Sequence, residues 1–258
     1  MKTLYFPHLK KVARSFYITI RLLPQKLQEP VALAYLLARA SDTIADQEPA
    51  NFQKSDRDLL GLLPLLLEAL DNPRRDSVET DAIRRVWKTI LEGQRFDLET
   101  FSSQRSAVTL NAEELDHYLY LVAGCVGEFW TTLAMHHLPN YSKAPLKQML
   151  NWGVDYGKGL QLTNILRDRH EDGQAGRFYY SEDRFFQLHA QALTYLQQGK
   201  FYLKALRPGR LKMASALPLL LAEQTLFLVA NNRDAIKVKV SRAAIYMTLL
   251  RTLVFLFF

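Results

Sequence analysis

The stretch VALAYLLARASDTIAD, residues 31–46, decides the fold. Ala34, Tyr35, Leu36, Leu37, Ala38 and Ile44 place apolar side chains on nearly every face of a helix. A helix of that kind belongs inside a protein, yet this one ends on two aspartates. Arg39, Asp42 and Asp46 stand at i, i+3 and i+7, which puts them on one stripe. Like charges one turn apart cost roughly a few tenths of a kcal/mol even on an exposed helix, and burial without a counter-ion costs far more. Taken alone, the stripe has two explanations. Either Arg39 neutralises Asp42 in a structural ion pair while Asp46 reaches solvent, or the stripe faces a cavity that holds a cation.

A second copy of the pattern favours the cavity. QLTNILRDRHED, residues 161–172, sets Gln161, Asn164, Asp168 and Asp172 along one helical face, again flanked by Leu160, Leu162, Ile165 and Leu166. Carboxylate and amide oxygens at this spacing suit a hard divalent cation that keeps several waters, which describes magnesium bridging to a substrate phosphate. His170 falls on another side of the helix and reads as a surface residue, and the adjacent His136 and His137 receive no role. Arg39 accompanies the first stretch, Arg167 and Arg177 the second, and Arg14 and Arg21 the first helix. Guanidinium groups and magnesium sites around one cavity are what a diphosphate requires, because several charges must be met at fixed geometry. The chain has no glycine-rich P-loop, which argues against an ordinary nucleoside triphosphatase.

Apolar residues recur at helical spacing along most of the chain. The spacing predicts helices near 8–22, 29–46, 56–71, 76–93, 111–137, 143–172, 181–206, 210–231 and 241–256, with FYITIRLL at 16–23 also compatible with a strand. Breaks fall at Pro24, Pro49, Pro73, Pro139 and Pro208, and Asn111 and Ser181 are the polar caps. Without a linker or a composition shift, residues 1–258 read as one all-α domain, a helical bundle around a central cavity. Gly124 and Gly127, and then Gly153, Gly157 and Gly159, interrupt strong helical patterns at about 1 kcal/mol each. They serve close helix packing or make room for a long apolar ligand, and their place beside the acidic stretches favours a channel. Tyr118 and Tyr120 are core aromatics or proton-moving groups near a diphosphate.

Composition bounds the partners. The chain has 258 residues, is 48% hydrophobic and carries a net charge of +7, which suits an anionic partner. Its basic residues form no dense block and no nucleic-acid module is recognisable, which argues against nucleic acid. The single cysteine, Cys125, excludes an intramolecular disulfide, and with no apolar leader at the start a reducing cytoplasm is expected. The last stretch, AAIYMTLLRTLVFLFF, is too short to span a bilayer and is expected either to lie on a membrane surface or to pack on the core.

Four ordered blocks carry a resemblance over nearly the whole chain: ARSFYITIRLLP, YLLARASDTIAD, YLYLVAGCVGE and GLQLTNILRDRHEDGQAGRFYY. Together they resemble the squalene and phytoene synthase family, head-to-head prenyltransferases of the all-α isoprenoid synthase fold. The resemblance implies that Asp42 and Asp46 form a first aspartate-rich motif and Asn164, Asp168 and Asp172 a second, jointly holding magnesium. It further implies that Arg14, Arg39, Arg167 and Arg177 hold phosphate oxygens, that Tyr118 transfers a proton, and that Gln161 and Gly157 line the prenyl channel. The segment ALPLLLAEQTLFLVANNRDAIKVKVSRA resembles the reductive branch of the family, in which a late basic segment binds NADPH; Lys239 and Arg242 are the matching residues. The implied reaction condenses two farnesyl diphosphates to presqualene diphosphate and reduces it to squalene. The same first half without a hydride, ending in phytoene or dehydrosqualene or at presqualene diphosphate, is the alternative. A non-catalytic relative would be expected to have lost carboxylates that are intact here. Two departures stand out: Ala45, where an acidic residue is common, and Ala214, where some members carry an aromatic.

Overall fold

In a computed structural model the described residues are 2–46, 53–101, 109–207, 209–232 and 237–256. The side chains of residues 2–4, 14, 15, 46, 242 and 256 lie outside that description, as do the expected breaks at Pro49 and Pro208. The helices are α1 (Lys2–Val12), α2 (Arg14–Leu22), α3 (Gln25–Asp46), α4 (Lys54–Leu70), α5 (Ser77–Phe101), α6 (Ala112–Leu119), α7 (Cys125–His137), α8 (Leu146–Gln174), α9 (Phe185–Ala205), α10 (Arg210–Asn231) and α11 (Arg242–Thr252). Among the described residues there is no strand, only a single bridge between Ser142 and Leu206. FYITIRLL is helical in α2 and the turn that ends it.

Several boundaries depart from the periodicity, α1 and α3 beginning at Lys2 and Gln25 where 8 and 29 are expected. The first helix divides at Ala13, whose φ of −105° and ψ of −5° leave helical geometry. Where a helix ending at Gly93 is expected, α5 runs on to Phe101. Gly93 is a crossing point rather than a stop, since a Cβ there would lie 2.8 Å from Val122 Cγ1. The expected helix 111–137 holds a π-helical turn, Tyr120–Gly124, between α6 and α7, a feature that often marks functional sites. Ser181 makes no capping hydrogen bond; a 3-10 turn, Glu182–Arg184, leads into α9 instead. Asn111 caps as expected. It accepts from the backbone N–H of Glu113 at 2.9 Å and of Glu114 at 3.0 Å, while Glu114 answers the Asn111 N–H at 2.8 Å.

The glycines carry α7 and the π turn onto α8. A Cβ on Gly127 would stand 1.8 Å from the Gly153 carbonyl oxygen, and one on Gly157 2.2 Å from that of Ala123. Backbone meets backbone there, so packing is their first role, although Gly127, Gly153 and Gly157 also border the central cavity. Gly159 meets Tyr195 and Leu196 of α9 and does not line the cavity, so the expected channel role fails at that position. At the far end, Arg75 is buried between Glu29 (Nη2 to Oε1, 2.6 Å) and Glu79 (Nη1 to Oε2, 3.2 Å). His137 reaches Glu79 at 2.7 Å and His136 reaches Asp76 at 3.0 Å. His136, which had no expected role, therefore ties α7 to the start of α5, while His137, equally without one, lies against Glu79 without a hydrogen bond.

Candidate active site

The two acidic stretches face one cavity of about 770 Å³. α3 contributes Val31, Tyr35, Arg39, Asp42 and Ala45 to its wall, and α8 contributes Gly157, Gln161, Asn164, Arg167, Asp168 and Asp172. Along α8 the lining runs from Gly153 to Asp172, a span of roughly 28 Å at about 1.5 Å per residue. The carboxylates sit near the C-terminal ends of both helices. Away from them the lining is apolar, with Phe16, Val122, Val126, Phe129, Trp130 and Tyr156. The cavity thus has a charged head and an apolar shaft. Ile44 is the exception to the expected inward face of α3, for it is exposed.

At the head each acidic stretch meets an arginine. Arg39 Nη1 pairs with Asp42 Oδ2, and Arg167 Nε donates to Asp168 Oδ1 at 2.7 Å while its Nη2 reaches Oδ2. That hydrogen bond raises the Arg167 pKa, outweighing burial, which lowers it. Asn164 Nδ2 lies 3.4 Å from Gln161 Oε1. Burial, followed by the Asp168 charge, pushes the Asp172 carboxyl up to about 6. Such crowding of negative charge in a half-buried place fits a divalent cation, which relieves it. Among the described residues no three His, Cys, Asp or Glu side chains converge on one point. A metal here would complete its shell with amide, water or phosphate oxygens, as magnesium does. Asp46 and Arg14 are placed by their backbones at the end of α3 and the start of α2, with their side chains outside the described part.

Three residues at the head were missing from the sequence reading: Gln94, Asp97 and Tyr179. Asp97 lies on the part of α5 that the periodicity cut off at Gly93. Arg177 Nε pairs with Asp97 Oδ2 at 3.1 Å. It reaches there because the chain reverses after α8: Gly176 takes φ 79°, and the Arg177 N–H returns to the Asp172 carbonyl at 2.8 Å. Tyr179 donates to Asp97 Oδ1 at 2.9 Å, and the Tyr118 and Tyr179 hydroxyls are 3.2 Å apart with stacked rings. Since Tyr179 spends its one hydroxyl proton on Asp97, Tyr118 is the donor to Tyr179. Burial, reinforced by Asp97, raises the Tyr118 pKa, and burial with Tyr118 raises that of Tyr179, so both phenols stay neutral.

The remaining expected residues separate. Tyr120 turns away and donates to Glu128 at 3.0 Å, so of the two expected candidates it is Tyr118 that lines the cavity. Arg21 stacks over the Phe6 ring at 5.1 Å and does not line the cavity. His170 is half-buried rather than a surface residue, with its Nε2 enclosed. Lys239 is exposed and lies close enough to the end of α8 that, after Lys237, it helps hold the Glu171 carboxyl below its usual range. The Arg242 side chain lies outside the described part.

Fold and site together define the class: an all-α bundle in which two carboxylate-bearing helices close the head of an apolar cavity. The family profile described as "Squalene/phytoene synthase" matches residues 9–187, and the chain belongs to that family. Chloroplastic phytoene synthase 1 of Zea mays is 28% identical over 188 residues, 69% of this chain and 43% of that protein. Squalene synthase ERG9 of Gibberella zeae is 26% identical over 281 residues, 90% of this chain and 59% of that protein. The chain therefore spans about half the length of these relatives. A solved complex of TcSQS with the ligand BPH1237 superposes with a TM-score of 0.82 at 24% identity, covering 97% of this chain and 85% of that one. A dehydrosqualene synthase in complex with a ligand gives 0.69 at 21% identity, covering 98% and 95%. Both share the fold.

Proposed function

We propose that this chain is a magnesium-dependent squalene synthase, joining two farnesyl diphosphates head to head through presqualene diphosphate and reducing the product with NADPH. The observation that carries the reading is that Asp42 of α3 and Asp168 and Asp172 of α8, with Arg39, Arg167 and Arg177, line the head of one apolar cavity from its two walls.

Arg39, Arg167 and Arg177 bind diphosphate oxygens and orient the allylic carbon toward the shaft. Asp42, Asp168, Asp172 and the Asn164 amide are hard oxygen donors that fit magnesium, with Asp46 the further donor implied by the first motif; magnesium when bound neutralises charge on the leaving diphosphate. The apolar shaft, from Phe16 to Trp130, keeps water from the cationic intermediates. Tyr118 takes the proton lost on closure of the cyclopropane while its own proton moves to Tyr179 and that of Tyr179 moves to Asp97. Near the end of α8 the exposed Lys239 is a cation suited to a dinucleotide phosphate, and NADPH when bound there supplies the hydride.

A second reading ends in dehydrosqualene or phytoene by proton loss without a hydride. It is favoured by the similarity to phytoene synthases and by Ala214, where the resemblance leads one to expect an aromatic in some members. The test is incubation with farnesyl diphosphate and magnesium, with and without NADPH, followed by mass spectrometry of the extract. Squalene formed only with NADPH is the expected result. Dehydrosqualene would establish the second reading, and farnesol alone or no product would overturn both.

A further inference from the structure

Helix α11 is built inside out. Its inward face carries Thr248 and Thr252, each 1% exposed, while Tyr246, Met247 and Leu250, and Leu253 and Val254 of the 3-10 turn that follows it, are 67%, 55%, 61%, 46% and 48% exposed. A surface helix of a water-soluble protein places these residue types the other way round. The register is held by polar contacts and is no accident of loose packing. Gln224 of α10 donates to Thr248 Oγ1 at 2.8 Å, Thr248 donates to the Ala244 carbonyl at 2.8 Å, and Thr252 donates to that of Leu249 at 2.7 Å. Of these, the Gln224–Thr248 bond crosses between helices; turning the stripe inward would break it and leave the Gln224 amide without that partner. The patch continues onto α10, where Phe227, one turn beyond Gln224, is 69% exposed.

Charge names the occupant. From Lys237 to Leu256 the chain carries Lys237, Lys239, Arg242 and Arg251 and no acidic residue. Arg251 is exposed on the stripe itself, and its stem can lie along the apolar surface while its guanidinium reaches a headgroup. Where the 3-10 turn Leu253–Leu256 meets the start of α10, Lys212 Nζ lies 5.7 Å from the Phe255 ring centre, with the exposed Lys143 close enough to lower its pKa further after burial has done so. An apolar stripe with no acidic residue of its own, bracketed by cations of which Lys237 pairs with Glu171 of α8, is complementary to an anionic bilayer surface, into which such a helix sinks by its apolar side.

We infer that α11, with Phe227, docks this protein on anionic membrane lipid, lying in the interface without spanning it. The occupied face is one helix removed from the cavity, because α10 lines the cavity with Ser215 and Pro218 and holds α11 through Gln224. The inference does not depend on which hydrocarbon the cavity makes.

The test is flotation of the purified protein with vesicles of equal parts phosphatidylglycerol and phosphatidylcholine, against phosphatidylcholine alone, with light scattering of the lipid-free protein. Flotation with the anionic vesicles only is expected. Met247→Ser with Leu250→Ser should weaken it at least about tenfold, and Arg251→Glu by roughly five- to tenfold, with unchanged circular dichroism. The inference is overturned if the protein stays at the bottom with both vesicle types or if the variants float like the parent. A lipid-free dimer dispersed by the serine variant would overturn it too, since a second copy would then own the stripe.

Discussion

The Tyr179 hydroxyl donates to Asp97 Oδ1 at 2.9 Å, joining the extended end of α5 to the segment after α8. Tyr118 is thereby connected through the Tyr179 hydroxyl to the Asp97 carboxylate, and a neutral phenol gains somewhere to send its proton. Asp97→Asn is expected to lower kcat for diphosphate release from farnesyl diphosphate by roughly 100-fold with little change in KM. Tyr179→Phe, which leaves the Arg177–Asp97 pair in place, should cost about as much. Steady-state kinetics of both variants check this, and a Tyr179→Phe enzyme at parental rate would show that the Asp97 effect is structural.

Asp42→Asn and Asp168→Asn each remove one carboxylate from opposite walls of the head. Each is expected to reduce magnesium-dependent turnover by roughly a thousandfold. Neither side chain is deeply buried, at 37% and 33% exposed, so the thermal midpoint should move little. Activity titrated with magnesium beside a circular-dichroism melt separates the two effects.

Asp172 has a pH signature. Its folded-state pKa, about 6, lies above the ordinary carboxylate value. The folded protein therefore binds the extra proton between those two values, and this contribution to stability falls as pH rises through the interval. At pH 7 without magnesium, Asp172→Asn should be the more stable protein by of order 1 kcal/mol, after allowing for solvent screening. Magnesium with diphosphate should stabilise the parent more than the variant. Denaturant melts at pH 5 and pH 7 measure the difference.

Gly127→Ala places a methyl where only 1.8 Å separates it from the Gly153 carbonyl oxygen. Since the obstacle is backbone, α7 and α8 must part, at a cost of roughly 2 kcal/mol or more. That corresponds to a midpoint lower by about 4–8 °C. Gly61→Ala, with nothing within 4 Å of the new methyl, is the control and should be neutral or slightly stabilising. Thermal melts of the pair decide it.

The sequence by itself determined the helical class, the bounds of α10 and the two acidic faces, because helical periodicity and i, i+4 spacing are local properties of a chain. Gly93 read as a stop and hid Asp97, since its reason for being glycine is Val122, nearly thirty residues away. By spacing alone Tyr118 and Tyr120 were equal candidates, the family resemblance favoured Tyr118, and in the structure Tyr120 is the one that turns to Glu128. The glycines of α7 and α8 likewise read as a choice between packing and channel, and the helix crossing assigns them mainly to packing. Only the tertiary structure brought Asp97, Tyr179 and Arg177 together, because a φ of 79° at Gly176 and the crossing of α5 over the π turn bring side chains from distant segments to one end of one cavity. Local spacing tells which face a residue occupies, and packing between distant segments decides what that face meets.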